Sequence, residues 1–237
     1  MRLDVYLFEQ GLAQSRNRAG DMIKNREVLV DGSVITKASF KVSENNSITV
    51  EEKTQYVGRA GNKLKGFLQD CKELHVKELN CLDIGSSTGG FVQVLLEEGA
   101  LCVSAVDVGS EQLHVSLRDD KRIKLYEQTD IREFKSQEKF DLVTCDVSFI
   151  GVEQIIEDIE RLSNDKILIL FKPQFEVGLG IKRTTKGVVK DQNAIKRVKE
   201  KFITNCFAYG WKLIESKESI LKGKEGNEET FYYFSKR

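Results

Sequence analysis

Residues 82–91 read Leu82-Asp83-Ile84-Gly85-Ser86-Ser87-Thr88-Gly89-Gly90-Phe91, an apolar strand that runs into a glycine-rich turn and then a helix. Glycines let a backbone approach a ligand closely, and a helix N-terminus offers unpaired N–H groups. What the stretch lacks narrows the choice of ligand. A phosphate-cradling loop ends in Gly-Lys-Ser/Thr, whereas Gly90 is followed by Phe91. A dinucleotide fingerprint puts its second glycine where Ser87 stands, and that side chain crowds a pyrophosphate. The Asp83-x-Gly85 start suits a ligand with a positive amino group and no phosphate.

Outward from this turn, strands alternate with helices. Leu82-Asp83-Ile84, Cys102 to Val106, Leu142 to Cys145 and Ile167 to Phe171 are short apolar runs, suited to a parallel sheet covered on both faces. Helices are predicted over residues 62–71, 90–98, 153–162 and 192–209, and residues 211–216 and 230–234 read as a late antiparallel pair at one edge. The alternation predicts an α/β fold, a Rossmann-like domain with a mostly parallel doubly wound sheet. In such sheets, ligands sit at the carboxyl ends of the strands. Asp107 closes the strand after the turn, where a carboxylate can accept both ribose hydroxyls, and Asp130 lies near the end of a third strand, in reach of an adenine amino group. S-adenosylmethionine fits these contacts, with Asp83, Gly85, Ser86, Ser87, Thr88, Gly89, Gly90 and Phe91 as its cradle and Asp146 beside it. The alternative is a glycine-rich turn that binds nothing.

Ahead of the sheet stands a smaller α+β module. Leu3, Val5, Tyr6, Leu7 and Phe8 fall in a helix that ends at Gly11-Leu12, and Ser15 caps a second helix over residues 16–25. Val28-Leu29-Val30, Asp31-Gly32 and Val34 read as a hairpin, because Asp-Gly supplies the positive φ angles of a tight turn, and Ile48-Thr49-Val50 closes the module. The charged run Glu51-Glu52-Lys53-Thr54 is the expected linker, giving domains at 1–55 and 56–237.

Composition sets bounds. The 37 basic residues balance 37 acidic ones, which argues against a polybasic coat for nucleic acid but leaves room for a local basic face. Five cysteines without a C-x-x-C spacing suggest free thiols in a reducing compartment, and no metal site is expected. The start, Met-Arg-Leu-Asp-Val-Tyr, has no apolar signal region and no apolar run is long enough for a membrane span, so a soluble cytoplasmic protein is expected. His75 and His114 have no visible partners in the pattern.

Two of the later strands end in charge, at Asp146 and at Lys172, and Pro173, the single proline of the chain, stops the second of them. Such a pair either forms a structural ion pair at the rim of the sheet or acts on a substrate.

Five segments stand in order: Arg59-Ala60-Gly61-Asn62-Lys63-Leu64, the 83–91 turn, Asp146-Val147-Ser148-Phe149-Ile150, Lys172-Pro173-Gln174-Phe175-Glu176, and Lys186-Gly187-Val188-Val189-Lys190-Asp191. Together they resemble the TlyA family, ribosomal RNA cytidine 2′-O-methyltransferases long labelled haemolysins, within the FtsJ-like group. The front part, through Arg2-Leu3-Asp4, Ser15 to Ala19 and Val28 to Gly32, is similar to the S4-like RNA-binding domain. The resemblance implies a Lys-Asp-Lys-Glu tetrad at Lys63, Asp146, Lys172 and Glu229. The last follows a Gly-Asn-x-Glu pattern at Gly226-Asn227-Glu228-Glu229, and Glu228 is the substitute because the family's usual aromatic directly after the glutamate is Thr230 here. It also implies S-adenosyl-L-methionine as cofactor, with S-adenosyl-L-homocysteine as product, and ribosomal RNA or a ribosomal subunit as partner.

The residue types suit the chemistry. A lysine acts as base only when its pKa falls from ~10.4 toward ~7–8, which a neighbouring cation promotes. Lys172 is the expected base, Lys63 and Asp146 position the ribose hydroxyl, and Glu229 orients the lysines. Arg2, Arg16, Arg18, Lys24 and Arg26 in the small module are the expected RNA contacts, with Arg59, Lys182, Arg183 and Lys186 as further ones, although four charges on a short helix are by themselves an ordinary solvated face. The sequence opens almost directly at Arg2-Leu3-Asp4 and so resembles the short family form, which acts on large-subunit RNA only. A monomer is expected, with a dimer as the alternative. Competing readings are a non-catalytic RNA-binding or ribosome-assembly factor and a membrane-active haemolysin; the absence of a membrane span or lytic helix in the pattern counts against the latter.

Overall fold

A computed structural model describes all residues except Gln14, Asn25, Glu44, residues 51–55 and Leu179. It divides into two units, Met1–Gln55 and Tyr56–Arg237. The expected linker, Glu51 to Thr54, and Asn25, the expected end of the second helix, lie outside the described residues.

In the first unit, α1 (Leu3–Glu9) and α2 (Arg16–Lys24) bury Leu3, Leu7, Ala19, Met22 and Ile23, the spacing of one helix face. These residues share a core with Val28 and Val30. The strands β1 (Val28–Val30), β2 (Ser33–Val34) and β3 (Ile48–Val50) form an antiparallel sheet in the order β2-β1-β3. Asp31 and Gly32 take φ of 51° and 76°, so the hairpin turns where two positive φ angles are tolerated. Ser15 Oγ accepts the Arg18 N–H at 3.1 Å and starts α2.

The second unit runs α3 (Arg59–Asp70), β4 (Asn80–Ile84), α4 (Gly90–Glu97), β5 (Cys102–Val106), α5 (Val115–Arg118), β6 (Ile123–Tyr126), β7 (Phe140–Cys145), a 3₁₀ turn (Val152–Gln154), α6 (Ile156–Leu162), β8 (Ser163–Phe171), α7 (Pro173–Glu176), α8 (Gln192–Ala208), β9 (Lys212–Glu218) and β10 (Thr230–Ser235). Its seven strands lie in the order β6-β5-β4-β7-β8-β10-β9. The first five are parallel, and β10 is antiparallel to both β8 and β9. The chain leaves β4 outward to β5 and β6, then returns to β4's other side with β7, so the topological switch lies between β4 and β7.

Differences from the expected elements have local causes. The helix expected over 153–162 is split at Ile155, whose φ and ψ of −127° and 9° are non-helical. β8 begins at Ser163 rather than at Ile167, because Asp165 is held by the Ser235 hydroxyl and the Lys236 N–H. β6, with its half-exposed Ile-Lys-Leu-Tyr pattern, was not among the apolar runs.

Side chains alternate across the sheet and sort into two cores. Ile167, Ile169, Phe171, Tyr232 and Phe234 meet residues of α6 and α8, such as Ile159 and Phe202. Leu168, Leu170, Phe231 and Tyr233 meet residues of α3 and α4, such as Leu64, Phe67 and Phe91. Phe231 anchors the second core, with its ring centroid 4.9 Å from that of Phe67 and 6.1 Å from that of Phe91. Phe231→Ala is expected to remove about 3–5 kcal/mol of stability, read as a lower urea midpoint with an unchanged denaturant slope.

Candidate active site

The alternation that builds the second core also places charge. Leu168 and Leu170 of β8 point to the α3 face, so the next residue of that parity past the strand end is Lys172. Phe231 and Tyr233 of β10 share that face, so Glu229 does too. Phe171 pairs with Thr230, which sets Lys172 opposite Glu229 in the antiparallel register. On β7, Leu142 faces the same core, and Asp146 follows with its parity. Lys63 arrives from α3, which covers this face.

The four groups form two close ion pairs. Lys63 Nζ lies 2.6 Å from Glu229 Oε2, with side chains 9% and 3% exposed. Lys172 Nζ lies 2.7 Å from Asp146 Oδ1, with side chains 10% and 12% exposed. Lys172 Nζ also donates to Ser148 Oγ at 2.9 Å and approaches the Asp146 carbonyl at 3.4 Å. The pairs are coupled: burial pushes the Asp146 carboxyl up, Lys172 and Lys63 pull it down, and Glu229 pushes it up. Glu228 stands apart at the surface, 2.8 Å from Lys222 Nζ, which holds its carboxyl below the usual range.

The glycine turn packs directly against this cluster. Gly85 has φ +80°, and a Cβ there would lie 3.1 Å from the Asp146 carbonyl oxygen. At Gly90 a Cβ would lie 2.8 Å from the Gly61 backbone nitrogen, so only glycine lets α3 and α4 approach this closely. A cavity of about 300 Å³ is lined by Gly85, Ser87, Asp107, Val108, Asp130 and Asp146, among others. A second, of about 230 Å³, includes Arg59, Ser86, Thr88, Asp146, Ser148 and Lys172 in its lining. Gly85, Ser87, Asp146 and Ser148 border both, so the two spaces meet at the cluster.

Each expected cofactor residue has a definite place. Asp107 accepts the Ser87 and Gly109 N–H groups at 2.8 and 2.7 Å, which fixes the carboxylate at the mouth of the larger cavity. Asp130 receives the Arg132 guanidinium at 2.5 and 2.9 Å and is held below the usual carboxylate range by it. Asp83 is fully buried: Oδ1 accepts the Thr144 hydroxyl at 2.7 Å, and Oδ2 has no partner. Burial, opposed by the Thr144 bond and assisted by Asp146 and Asp107, pushes its carboxyl up to about 7. The Phe91 ring is core, 2% exposed against Phe231, although the residue also borders the smaller cavity.

The expected RNA contacts are dispersed. In the first unit, Arg2 and Arg16 lie 2.9 and 3.6 Å from Asp4, and Arg18 lies 3.7 Å from Glu27. Lys24 and Arg26 are exposed. In the second unit, Arg59 donates to the Lys222 carbonyl, and Lys182 and Lys186 are exposed. Arg183 donates to the carbonyls of Gln174, Gly178 and Ile181, so its guanidinium holds a loop together.

Several site residues escaped the sequence reading. Asn227 accepts the Val189 N–H at 3.0 Å and donates to the Gly187 carbonyl, which anchors the turn before Glu229. Gln174 Nε2 reaches Glu229 Oε1 at 3.5 Å. Thr144, on the face of Asp83 and Asp146, was legible only from strand parity, and Ser148 stood unremarked inside a quoted motif.

Residues 56–236 match the model of the FtsJ-like methyltransferases. The chain belongs to that family. Residues 1–48 match the S4 domain. The 23S rRNA (cytidine-2′-O)-methyltransferase TlyA of Campylobacter jejuni is 47% identical over the full length of both chains. The 16S/23S rRNA (cytidine-2′-O)-methyltransferase TlyA of Mycobacterium tuberculosis is 36% identical, covering 98% of this chain and 88% of that one. A solved structure from Streptococcus thermophilus, described as a candidate hemolysin, has a TM-score of 0.74 at 31% identity and covers 99% of this chain and 88% of that one. This FtsJ-like protein thus places Asp146 where these two cavities meet and Lys172 on the wall of the smaller one, with the Lys63–Glu229 pair behind them.

The raised Asp83 carboxyl has a signed consequence for this family member. The reference value is ~3.9 and the folded value about 7, so between these limits the folded state holds a proton that the unfolded chain does not. Its contribution to stability is present below pH ~4 and is lost as pH rises through about 7. Asp83→Asn is therefore expected to gain stability relative to wild type on going from pH 5 to pH 8, measured by urea unfolding at both values. A stability difference independent of pH would contradict the assignment.

Proposed function

We propose that the protein methylates the 2′-hydroxyl of a cytidine ribose in ribosomal RNA, with S-adenosyl-L-methionine as donor. The observation that carries this reading is the Lys63–Glu229 and Lys172–Asp146 cluster, buried at the strand ends and bordering the smaller cavity through Lys172 and Asp146. A ribose hydroxyl is a weak nucleophile, and it must lose its proton as it attacks. Lys172 accepts that proton at Nζ. Asp146 holds the Lys172 amine, and Glu229 fixes Lys63 beside the place where the hydroxyl enters.

The residues present suit the cofactor. Asp83 Oδ2, buried and without a partner, is an acceptor for a positive amino group at the start of the glycine turn. Residues Gly85 to Gly90 cradle the ligand backbone to backbone, while Asp107 serves ribose hydroxyls and Asp130 an adenine amino group. When bound, the cofactor would supply an electrophilic methyl group to the ribose oxygen and would depart as S-adenosyl-L-homocysteine.

The division of labour is capture by residues 1–55 and chemistry by residues 56–237. The match of residues 1–48 to the S4 domain supports RNA capture by the first unit. Lys24 and Arg26 are its most available contacts, since Arg2, Arg16 and Arg18 have acidic neighbours. Greater identity to the C. jejuni 23S enzyme than to the M. tuberculosis 16S/23S enzyme supports large-subunit RNA as substrate, encountered in the cytoplasm. Among the described residues, no helix is long and apolar enough to cross a membrane.

Lys172→Ala is expected to bind S-adenosyl-L-methionine with near wild-type affinity by calorimetry. Its transfer of labelled methyl to ribosomal RNA is expected to fall by at least ~10²-fold. An active variant would remove Lys172 from the role of base, and a wild-type protein that binds the RNA without transferring methyl would be a non-catalytic factor.

A further inference from the structure

Lys172 does not meet Asp146 alone. Its ammonium also donates to Ser148 Oγ at 2.9 Å, two residues further along the loop that leaves β7. That loop is fixed at its base by the Asp146 N–H, which donates to the Ile84 carbonyl at 3.0 Å. The close approach of Gly85 to the Asp146–Val147 peptide adds a second constraint. Phe149, directly after Ser148, is held at φ +69°, so the chain turns away immediately beyond the serine. Ser148 is exposed and borders both cavities.

We infer that Ser148 is a positioning residue for the lysine base: it takes one of the amine's N–H bonds and so aims the lone pair at the substrate hydroxyl. This rests on the proposed role of Lys172. A neutral amine has two N–H bonds and one lone pair. Ser148 Oγ at 2.9 Å and the Asp146 carbonyl at 3.4 Å are the two acceptors of its hydrogen bonds, while Asp146 Oδ1 at 2.7 Å is an ion-pair contact outside hydrogen-bond geometry. With both N–H bonds engaged by residues 146 and 148, the lone pair is left to the smaller cavity, which Lys172 itself lines. Without Ser148, the amine keeps only the long bond to the Asp146 carbonyl beside its ion-pair contact, turns more freely about its Cε–Nζ bond, and the lone pair loses its direction.

Two measurements test this. In steady-state methyl transfer, Ser148→Ala lowers kcat by roughly tenfold or more, as expected for a misaligned base. KM for cofactor and RNA stays within about twofold, and Ser148→Thr, which keeps the hydroxyl, restores the rate. The second readout needs neither RNA nor cofactor. The folded protein is treated with acetic anhydride over a range of pH, and acetylation of Lys172 is followed by mass spectrometry against exposed Lys196. Because Ser148 accepts from the charged amine, its removal moves half-maximal labelling of Lys172 to lower pH, and threonine reverses the shift. Alanine with kcat within twofold of wild type, an unmoved labelling profile, or threonine no better than alanine each overturns the inference. Should Lys172 prove not to be the base, the labelling shift still stands while Lys172→Ala remains active, which separates the two failures.

Discussion

Two ammonium and two carboxylate groups share one nearly dry corner at the ends of β7, β8 and β10, none with a side chain more than 12% exposed. Taking one such charge out of water costs several kcal/mol, and removing a partner leaves the other uncompensated. The arrangement therefore holds only if every strand and helix that delivers a charge keeps its register. A slip of one residue in β10 would turn Glu229 to the opposite face and bring Glu228, now at the surface with Lys222, to the position beside Lys63. The aromatic residues of β10 prevent that slip, because Phe231 and Tyr233 fill one core while Tyr232 and Phe234 fill the other. Hydrophobic alternation along β10 thus fixes the electrostatics at its end.

The same alternation explains what could be read in the sequence. The parallel sheet was legible because its central strands are apolar on both faces, and the glycine turn because only a few ligands tolerate its pattern of side chains. Lys172 and Asp146 were legible as charges ending apolar runs. Lys63 and Glu229 were not: each lies in a polar context, and only resemblance to a family singled them out. The half-exposed β6 and the charged start of β8 were missed because tertiary pairing, and not an apolar run, makes them strands. Ser148 was missed because a serine in a loop carries no signal until the lysine opposite it is placed.

Stability and function pull against each other at Asp83. A carboxyl with no exposure, one hydroxyl partner and one unpartnered oxygen is a poor structural element. A leucine or an alanine at the end of β4 would suit the core better. Under the proposed cofactor reading, the unpartnered oxygen is the acceptor for a positive amino group, since an acceptor already desolvated loses little more when a ligand binds. Burial raises its titration, the Thr144 bond opposes that, and the like-charged neighbours Asp146 and Asp107 add to it.

The charge of the first unit bears on how it meets a partner. Asp4, 6% exposed, lies near both Arg2 and Arg16, and Glu27 lies near Arg18, so part of the basic face is compensated within the unit. A surface built only to attract polyanions would leave these arginines free. Compensation fixes the guanidinium plane of Arg2, which Asp4 holds through two hydrogen bonds, while Arg16 and Arg18 keep looser ion pairs. The net charge of zero for the whole chain fits this economy.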